Sequence, residues 1–598
     1  MRCDATGGAE RRRPFDPNSL FVLRSNYAVL SSVLAALLVA ASSAAMQARI
    51  INAASPSLAD VRRAIASAAD GDTVIVPAGR AAWTSALAIT KGITIQGQTT
   101  VDSDRGTTDD QTVLVDNLVR VPGGQGFFHC KTNAGQALRI TGITFTGTGG
   151  LTTTAYNGAI KLSGSSNQVR LDHLHFTNLY HSNYIAVYAS IRGVADHIVE
   201  DHLVGQNGQN RTFNGTNYGD VEWSQPAGYG GPDFFFYEDW YVDNRGHPFS
   251  TAGGWDANQG GRFVIRHCHL WDVEILCHGT EIDRNRGGRA QEIYNNDYHW
   301  SYNLGAMDGI RSGSMIAHDN TYDGNLPTGY SMQTYRVSRN YQGTPFGNAD
   351  GQNPWDVNVT EADGSHVDGN PPYVFESGTA TGGSESVQAS TNSLTDTSKN
   401  WTVNQWKNYT AKRVSDGFIG FIMSNTNDTL TMQWNCPAGC GGATWRAGDQ
   451  YEICKVMVAL DQPCRGKGDL LPNTAGPPPK WPNQVIEPCY SWNNIHQPGG
   501  EHINFNPAAN TAWMLTPGKD YFNDTPMPGY TPYVYPHPLT KGLPPPEQMT
   551  RDATGDSQHN TLKKRQPWGG KKPDRKKAKK TKESPTNKMA DDQDNLGN

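Results

Sequence analysis

One six-residue phrase recurs along the middle of the chain. It has an apolar first position, mostly polar second and third positions, usually an apolar residue or Asn at the fourth, and an aromatic or aliphatic sixth. It runs from Ile140 to Phe145, Leu171 to Phe176, Val199 to Val204, Tyr237 to Val242, Ile265 to Leu270, Ile293 to Tyr298 and Ala317 to Tyr322. The sixth position therefore falls at 145, 176, 204, 242, 270, 298 and 322, in steps of 31, 28, 38, 28, 28 and 24 residues. Steps of that size mark a stacked repeat architecture. The units are rich in Val, Ile, Phe, Tyr and Thr, and no amphipathic stretch at helical spacing is long enough to supply a helix per repeat. Each unit is thus expected to be a coil of two or three short strands. Such a coil cannot bury its apolar positions alone, but stacking coils about 4.8 Å apart aligns like residues into internal ladders.

Two positions of the phrase carry a further expectation. Asn296 and Asn320 share the fourth position, where an amide ladder at a bend satisfies backbone groups. The third position holds His173, Asp201, Asp239, His267, Asn295 and Asp319, which is too regular for a site and reads as a row of turn formers. Cys268 occupies a fourth position between Trp240 and Asn296, a core address rather than that of a reactive thiol.

Together with Ala59 to Ile65, Gly71 to Gly79 and Lys91 to Gly97, these phrases resemble the right-handed parallel β-helix proteins of the pectate lyase-like (pectin lyase-fold) superfamily. The resemblance covers roughly residues 50 to 340, with a less regular continuation to about 540, and the three early segments look like the short helix and first coils that open many such proteins. It implies an all-β right-handed parallel β-helix, a solenoid, here with an inserted small β module. The Arg, Pro, Arg motif of pectate lyases has no match. Cys277-His-Gly-Thr280 is only partly similar to the Gly-His-Gly triplet of polygalacturonases. Arg311-Ser-Gly313 and Asp319-Asn-Thr-Tyr322 resemble one coil of the alginate lyase and chondroitinase B group, whose base Lys, one coil earlier, has no counterpart.

The expected organisation follows from shifts in pattern. Residues 1–45 read as a secretory signal: Arg11 to Arg13 and Arg24, a short apolar run from Ala28 to Ala40, then small residues to Ala45. An uncleaved anchor is the alternative. Residues 46–376 form the β-helix with its N-terminal cap, and 377–457 a compact β module of short alternating strands. Its Trp401, Trp406, Trp434 and Trp445 serve either as its core or as sugar-stacking faces, core being favoured. Residues 458–545 supply final coils and a C-terminal cap, with the Pro-rich run from Thr525 to Pro546 as a closing strap on the last coil, because an open stack end exposes unpaired strand edges. Residues 546–598 are a disordered basic tail.

The formal charge is −6, and Lys563 to Lys582 alone carries eleven Lys or Arg against one Asp, so without it the rest stands at −16. The body is acidic and the tail basic; the tail suits nucleic acid as an alternative, but for an exported β-helix a solvated tail or contact with an anionic surface polymer is expected, and specific nucleic-acid recognition is not. Once the signal is removed, no membrane association is expected, and the protein is expected to be secreted or at the cell surface. Nine cysteines do not make a disulfide-dense scaffold, and Cys436 and Cys440 form the best local pair for a disulfide.

Chemistry concentrates after Leu270. His278, Glu281, Asp283, Arg286 and Arg289 lie close in sequence, Arg311 lies one coil on, and Arg245 and His247 lie one coil before. An acidic polysaccharide cut by β-elimination needs a group that neutralises the uronate carboxylate, a base for the C5 proton and an acid for the leaving oxygen. Arg289 and Arg311 suit clamp and base or acid, His278 is the alternative base, and Arg245, His247 and Arg286 suit substrate binding. Hydrolysis needs two carboxyl groups instead, for which Glu281 and Asp283 are nearest and Asp256 more distant. Calcium is a second way to neutralise a carboxylate, but no local ligand pattern specifies a cage. The expected activity is cleavage of an acidic polysaccharide, elimination ahead of hydrolysis. The alternative is a non-catalytic glycan-binding or adhesive surface or spike β-helix.

Overall fold

The computed structural model describes residues 48–119, 126–148, 158–179, 183–201, 209–213, 222–223, 225–245, 254–279, 286–301, 308–325, 327–334, 374–386, 391–433, 444–455, 462–466, 485–509 and 511–541. The segments read as signal, basic tail and Cys436–Cys440 pair lie outside them, as do Trp434, His247, Glu281 and Asp283. From Ile50 onward the chain winds as a right-handed parallel β-helix. A helix, Leu58–Ser67, precedes the full coils; the Ser57 hydroxyl accepts from the Asp60 amide, and Val61, Ala64 and Ile65 form its buried stripe.

Three parallel ladders make the walls. The first runs from Ile50–Asn52 through Ala137–Thr141, Gln168–Asp172, Arg262–Arg266, Ala290–Tyr294 and Ser314–His318 to Cys489–Trp492. The second includes Thr112–Asp116, Thr144–Gly147, His269–Trp271, Asp297–Trp300 and Thr321–Gly324. The third includes Leu87–Ile89, Phe128–Thr132, Ile160–Gly164, Trp255–Ala257, Ile275–Cys277, Asp308–Ile310 and Tyr330–Met332. Alternation along each strand sends one set of side chains inward. The interior is a continuous apolar core in which Phe145 stacks on Phe176 and Tyr298 on Tyr322.

The six-residue phrase is the corner between the first and second ladders. Its third residue adopts the left-handed conformation in coil after coil: Gly142, His173, His197, Asp239, His267, Asn295, Asp319 and Asn493 have φ between 49° and 68°. Short polar side chains tolerate that conformation best, which is why the position is filled by Asn, Asp, His and Gly. One coil departs from the expected register. Leu171 pairs with Ala195 and Phe176 with Glu200, so the phrase there runs from Ala195 to Glu200, four residues before the one read at Val199. The corner residue is His197, and Asp201 is not a turn former.

The fourth position builds the amide ladder. Asn296 Nδ2 donates to Asn320 Oδ1 at 3.0 Å and Asn320 Nδ2 to Asn494 Oδ1 at 2.8 Å, while Asn296, Asn320 and Asn494 Oδ1 accept in turn from the backbone amides of Cys268, Asn296 and Asn320. The ladder steps directly from Asn320 to Asn494. The coil ending at Met332 is followed in the stack by Cys489–Trp492, Ile495–His496 and Phe505–Pro507, as though nothing stood between. The intervening residues include a separate seven-stranded antiparallel sheet, Val374–Thr379 to Gln450–Cys454. Trp401, Trp406 and Trp445 are buried in its core with Leu394, Ile422 and Tyr451, so they do not present sugar-stacking faces.

The closing strap touches the last coil, where the Thr525 amide donates to the Ser491 carbonyl and the Tyr530 ring meets Trp492 edge-on, but it extends further than expected: residues 527–541 lie back along the outer face of the first ladder. The Tyr530 hydroxyl donates to Glu292 Oε2 at 2.5 Å, the carbonyls of Tyr533 and Val534 accept from Arg266, the Tyr535 ring stacks on His267, and the His537 amide donates to Glu238. Beneath it lies a row of charges fully withdrawn from solvent. Arg266 pairs with Glu238 at 2.6 Å, Arg170 with Asp196 at 2.8 Å, and Arg139 grips both oxygens of Asp172 at 2.7 Å. Each pair joins neighbouring coils, and each needs its partner, because a lone buried charge is costly.

Two outcomes follow. Asn320→Leu removes the acceptor of the Asn296 backbone amide, one of the two acceptors of Asn296 Nδ2 and the Nδ2 donor to the Ile293 carbonyl, and is expected to lower unfolding stability by about 2–4 kcal/mol, read from denaturant midpoints. Burial raises the Glu292 carboxyl from 4.5 to about 7, against the opposing hydrogen bonds from Tyr530 and Gly230. The folded state therefore favours the protonated acid: its stabilising contribution is complete below pH 4.5 and is lost as pH rises through about 7. Stability should fall by on the order of 3 kcal/mol across that window, and Glu292→Gln should flatten the fall.

Candidate functional site

In the third ladder Ala257, Cys277, Ile310 and Met332 form one inward column, so the residues on either side of each point outward. The following residues are Asn258, His278, Arg311 and Gln333, held in register by backbone bonds from His278 to Ala257, Arg311 to Cys277 and Gln333 to Ile310. The preceding residues are Asp256, Leu276, Gly309 and Ser331. His278 and Arg311, separated by more than thirty positions in the chain, are thus neighbours one coil apart. Asp256 is almost wholly buried, and its carboxylate meets His278 Nδ1 at 2.8 Å. In the neutral imidazole that contact favours the proton on Nδ1, toward Asp256, which makes Nε2 the basic nitrogen. At Gly309 the face carries no side chain, and the Leu276 side chain closes over the position, 3.3 Å from where a Cβ would stand.

Further along the same outward face the column of Asp256 continues through Ala186 to Lys161 and His129, and that of His278 through Tyr188 to Lys131. The Lys161 ammonium lies 4.8 Å from the centre of the Tyr188 ring. Burial holds the lysine below its ordinary pKa. His129 is also pushed down, first by burial and then by the charges of Lys161 and Lys131. A basic, partly aromatic stretch therefore lies on the face that carries the His278–Asp256 pair. These residues lie outside the corner phrase, and only the alternation within Phe128–Thr132 and Ile160–Gly164 marks them as outward-pointing.

Of the other expected residues within the described segments, Arg289 and Arg245 make their contacts elsewhere and Arg286 is buried. Arg289 is fully buried; its two terminal nitrogens bond the two oxygens of Glu487 at 2.6 and 2.7 Å, and it also donates to the Gln225 carbonyl. It is a packing residue, not a clamp. Burial would raise the Glu487 carboxyl, but the Arg289 hydrogen bonds and charge outweigh it and hold the group below its ordinary range. Arg286 is buried against the Trp223 ring, 4.9 Å from its centre. Arg245 makes its contacts on the second ladder, paired with Asp243 and stacked 4.4 Å over Trp271. The Gly287–Gly288 bend lets the chain pass close beneath His278: a Cβ at Gly287 would fall 1.9 Å from the Ser312 hydroxyl, and one at Gly288 2.3 Å from Cys277 Sγ. Among the described residues no group of three or more His, Cys, Asp or Glu is assembled as metal ligands would be.

No family model matches the chain, and no curated protein does. Among solved structures it is similar to that of the PL6 family alginate lyase AlyGC, an arginine-to-alanine mutant, with 13% identity and a TM-score of 0.20 over 50% of this chain and 32% of that one. The chain therefore spans about a third of that protein's length.

Glu487→Gln removes the counter-charge of a buried guanidinium. It is expected to destabilise the fold by about 3–5 kcal/mol in thermal or denaturant unfolding. Arg311→Ala, on the partly exposed face, should change unfolding by less than about 1 kcal/mol.

Proposed function

We propose that the outer face of the third ladder binds an acidic polysaccharide and cleaves it by β-elimination. The observation that carries this reading is the His278 imidazole, oriented by the buried Asp256 carboxylate, with Arg311 one coil away. In the proposed step the uronate carboxylate pairs with Arg311, whose charge stabilises the negative charge that develops when C5 loses its proton. His278 Nε2 takes that proton, and Asp256 stabilises the imidazolium that forms. The electron pair left on C5 forms the C4–C5 double bond as the C4–O bond breaks, and the imidazolium returns its proton to the leaving oxygen. One group thus serves as base and then acid.

The arrangement also suits a polymer better than a small acid. A linked pyranose advances by roughly one coil spacing per unit, so a chain laid along the ladder meets successive coils with successive sugars. Lys161, Lys131 and the Tyr188 ring lie a few coils from His278, where they would take further carboxylates and a sugar face. Arg311 takes the clamp role that the sequence divided between Arg289 and Arg311. Asp256, the more distant of the carboxyl groups considered for hydrolysis, is engaged with His278.

The test offers alginate, pectate and glycosaminoglycans to the purified protein and follows the ultraviolet absorbance of the unsaturated product, with and without calcium. His278→Ala and Arg311→Ala should each lower the rate by about 10²–10⁴-fold, while Lys161→Ala should raise KM and largely spare kcat. Binding without any absorbance rise or release of reducing ends would replace the lyase reading with a glycan-binding solenoid.

A further inference from the structure

Six cysteines lie among the described residues, all buried, and two of them face each other. Cys464 Sγ and Cys489 Sγ are 3.5 Å apart inside the solenoid core, although 25 positions separate them in sequence. The backbone explains the meeting. Arg465–Gly466 and Val485–Ile486 form a short antiparallel pair, the Glu487 amide donates to the Cys464 carbonyl at 3.0 Å, and Cys489 follows two residues later as the first residue of its coil strand. On its other side, Pro463 bridges to Gly313 and the Cys464 amide donates to the Gly313 carbonyl at 2.8 Å. Both backbones are therefore fixed while the sulfurs are in contact, and a small side-chain rotation suffices to join them.

We propose that Cys464 and Cys489 form a structural disulfide that pins the end of the insertion to the solenoid. In the reaction each thiol gives up its proton and the pair gives up two electrons to an acceptor disulfide of the glutathione class. The sulfur–sulfur bond forms in the protein as the acceptor's breaks, and the acceptor leaves as two thiols. Both side chains are fully shielded in the folded chain, and burial pushes the Cys464 thiol well above its ordinary pKa. Bond formation therefore belongs to the folding stage, before the 462–466 segment docks, and the finished bond is shielded from reductant. The closed loop holds Glu487, which bonds both Arg289 and Ser314, so the link fixes the strand beside the coil that carries Arg311.

The full chain, refolded with mixed oxidised and reduced glutathione, would be denatured, alkylated without reduction, cleaved with trypsin and weighed. Cys464 lies in the peptide 456–465 and Cys489 in the peptide 481–519, each containing a single cysteine. The expected result is one linked species that reductant splits into these two peptides. Recovery of both in alkylated form, or of either joined to a different cysteine, overturns the proposal. A second measurement separates the bond from packing. Refolding in reductant should lower the thermal midpoint of the parent by several degrees and leave that of a Cys464→Ala, Cys489→Ala chain unmoved. Equal midpoints for oxidised and reduced parent would overturn the structural role.

Discussion

Each coil turns from its first strand to its second through a single residue held at positive φ, and the registration of the whole stack depends on that corner. The left-handed residue turns the chain between the two ladders: the residue before it lies on the outer face, as Asp172, Glu238 and Arg266 do, and the residue after it points into the core, as Ile143, Leu174 and Trp240 do. If the corner moved by one position, the inward and outward sets would exchange. The amide ladder reinforces it from within: Asn296, Asn320 and Asn494 satisfy the backbone amides that the bend takes out of strand pairing.

This explains how the stack tolerates a long interruption. The coil ending at Met332 and the one beginning at Cys489 are joined by strand pairing and by the Asn320–Asn494 bond, none of which depends on the path of the chain between them. Loop length costs entropy only slowly, so a separately folded sheet can be inserted at one corner of a solenoid. The bidentate Arg289–Glu487 pair and the Cys464–Cys489 contact fasten the return of that insertion.

The outer faces have been put to different uses. The first ladder carries paired charges buried beneath the strap, where Arg139, Arg170 and Arg266 each hold a carboxylate of a neighbouring coil. The third ladder carries the His278–Asp256 pair and Arg311.

The repeat phrase, the turn-forming third position, the Asn ladder and the helix at 58–67 were all legible in the chain, because each depends on neighbours within a few residues. The coil at Ala195–Glu200 was misplaced by four residues because Val199 to Val204 imitates the phrase, and only pairing with the adjacent coils distinguishes them. The candidate site was legible only in its residue types. His278 and Arg311 stood out by residue type, but sequence proximity made Arg289 their equal, and only the fold shows that Glu487, almost two hundred positions away, occupies its guanidinium. Lys161 and Tyr188 were passed over because their distance from His278 is set by loops of unequal length, which the local pattern does not encode. Alternation within a strand decides which side chains point outward; the stacking of coils decides which of them meet.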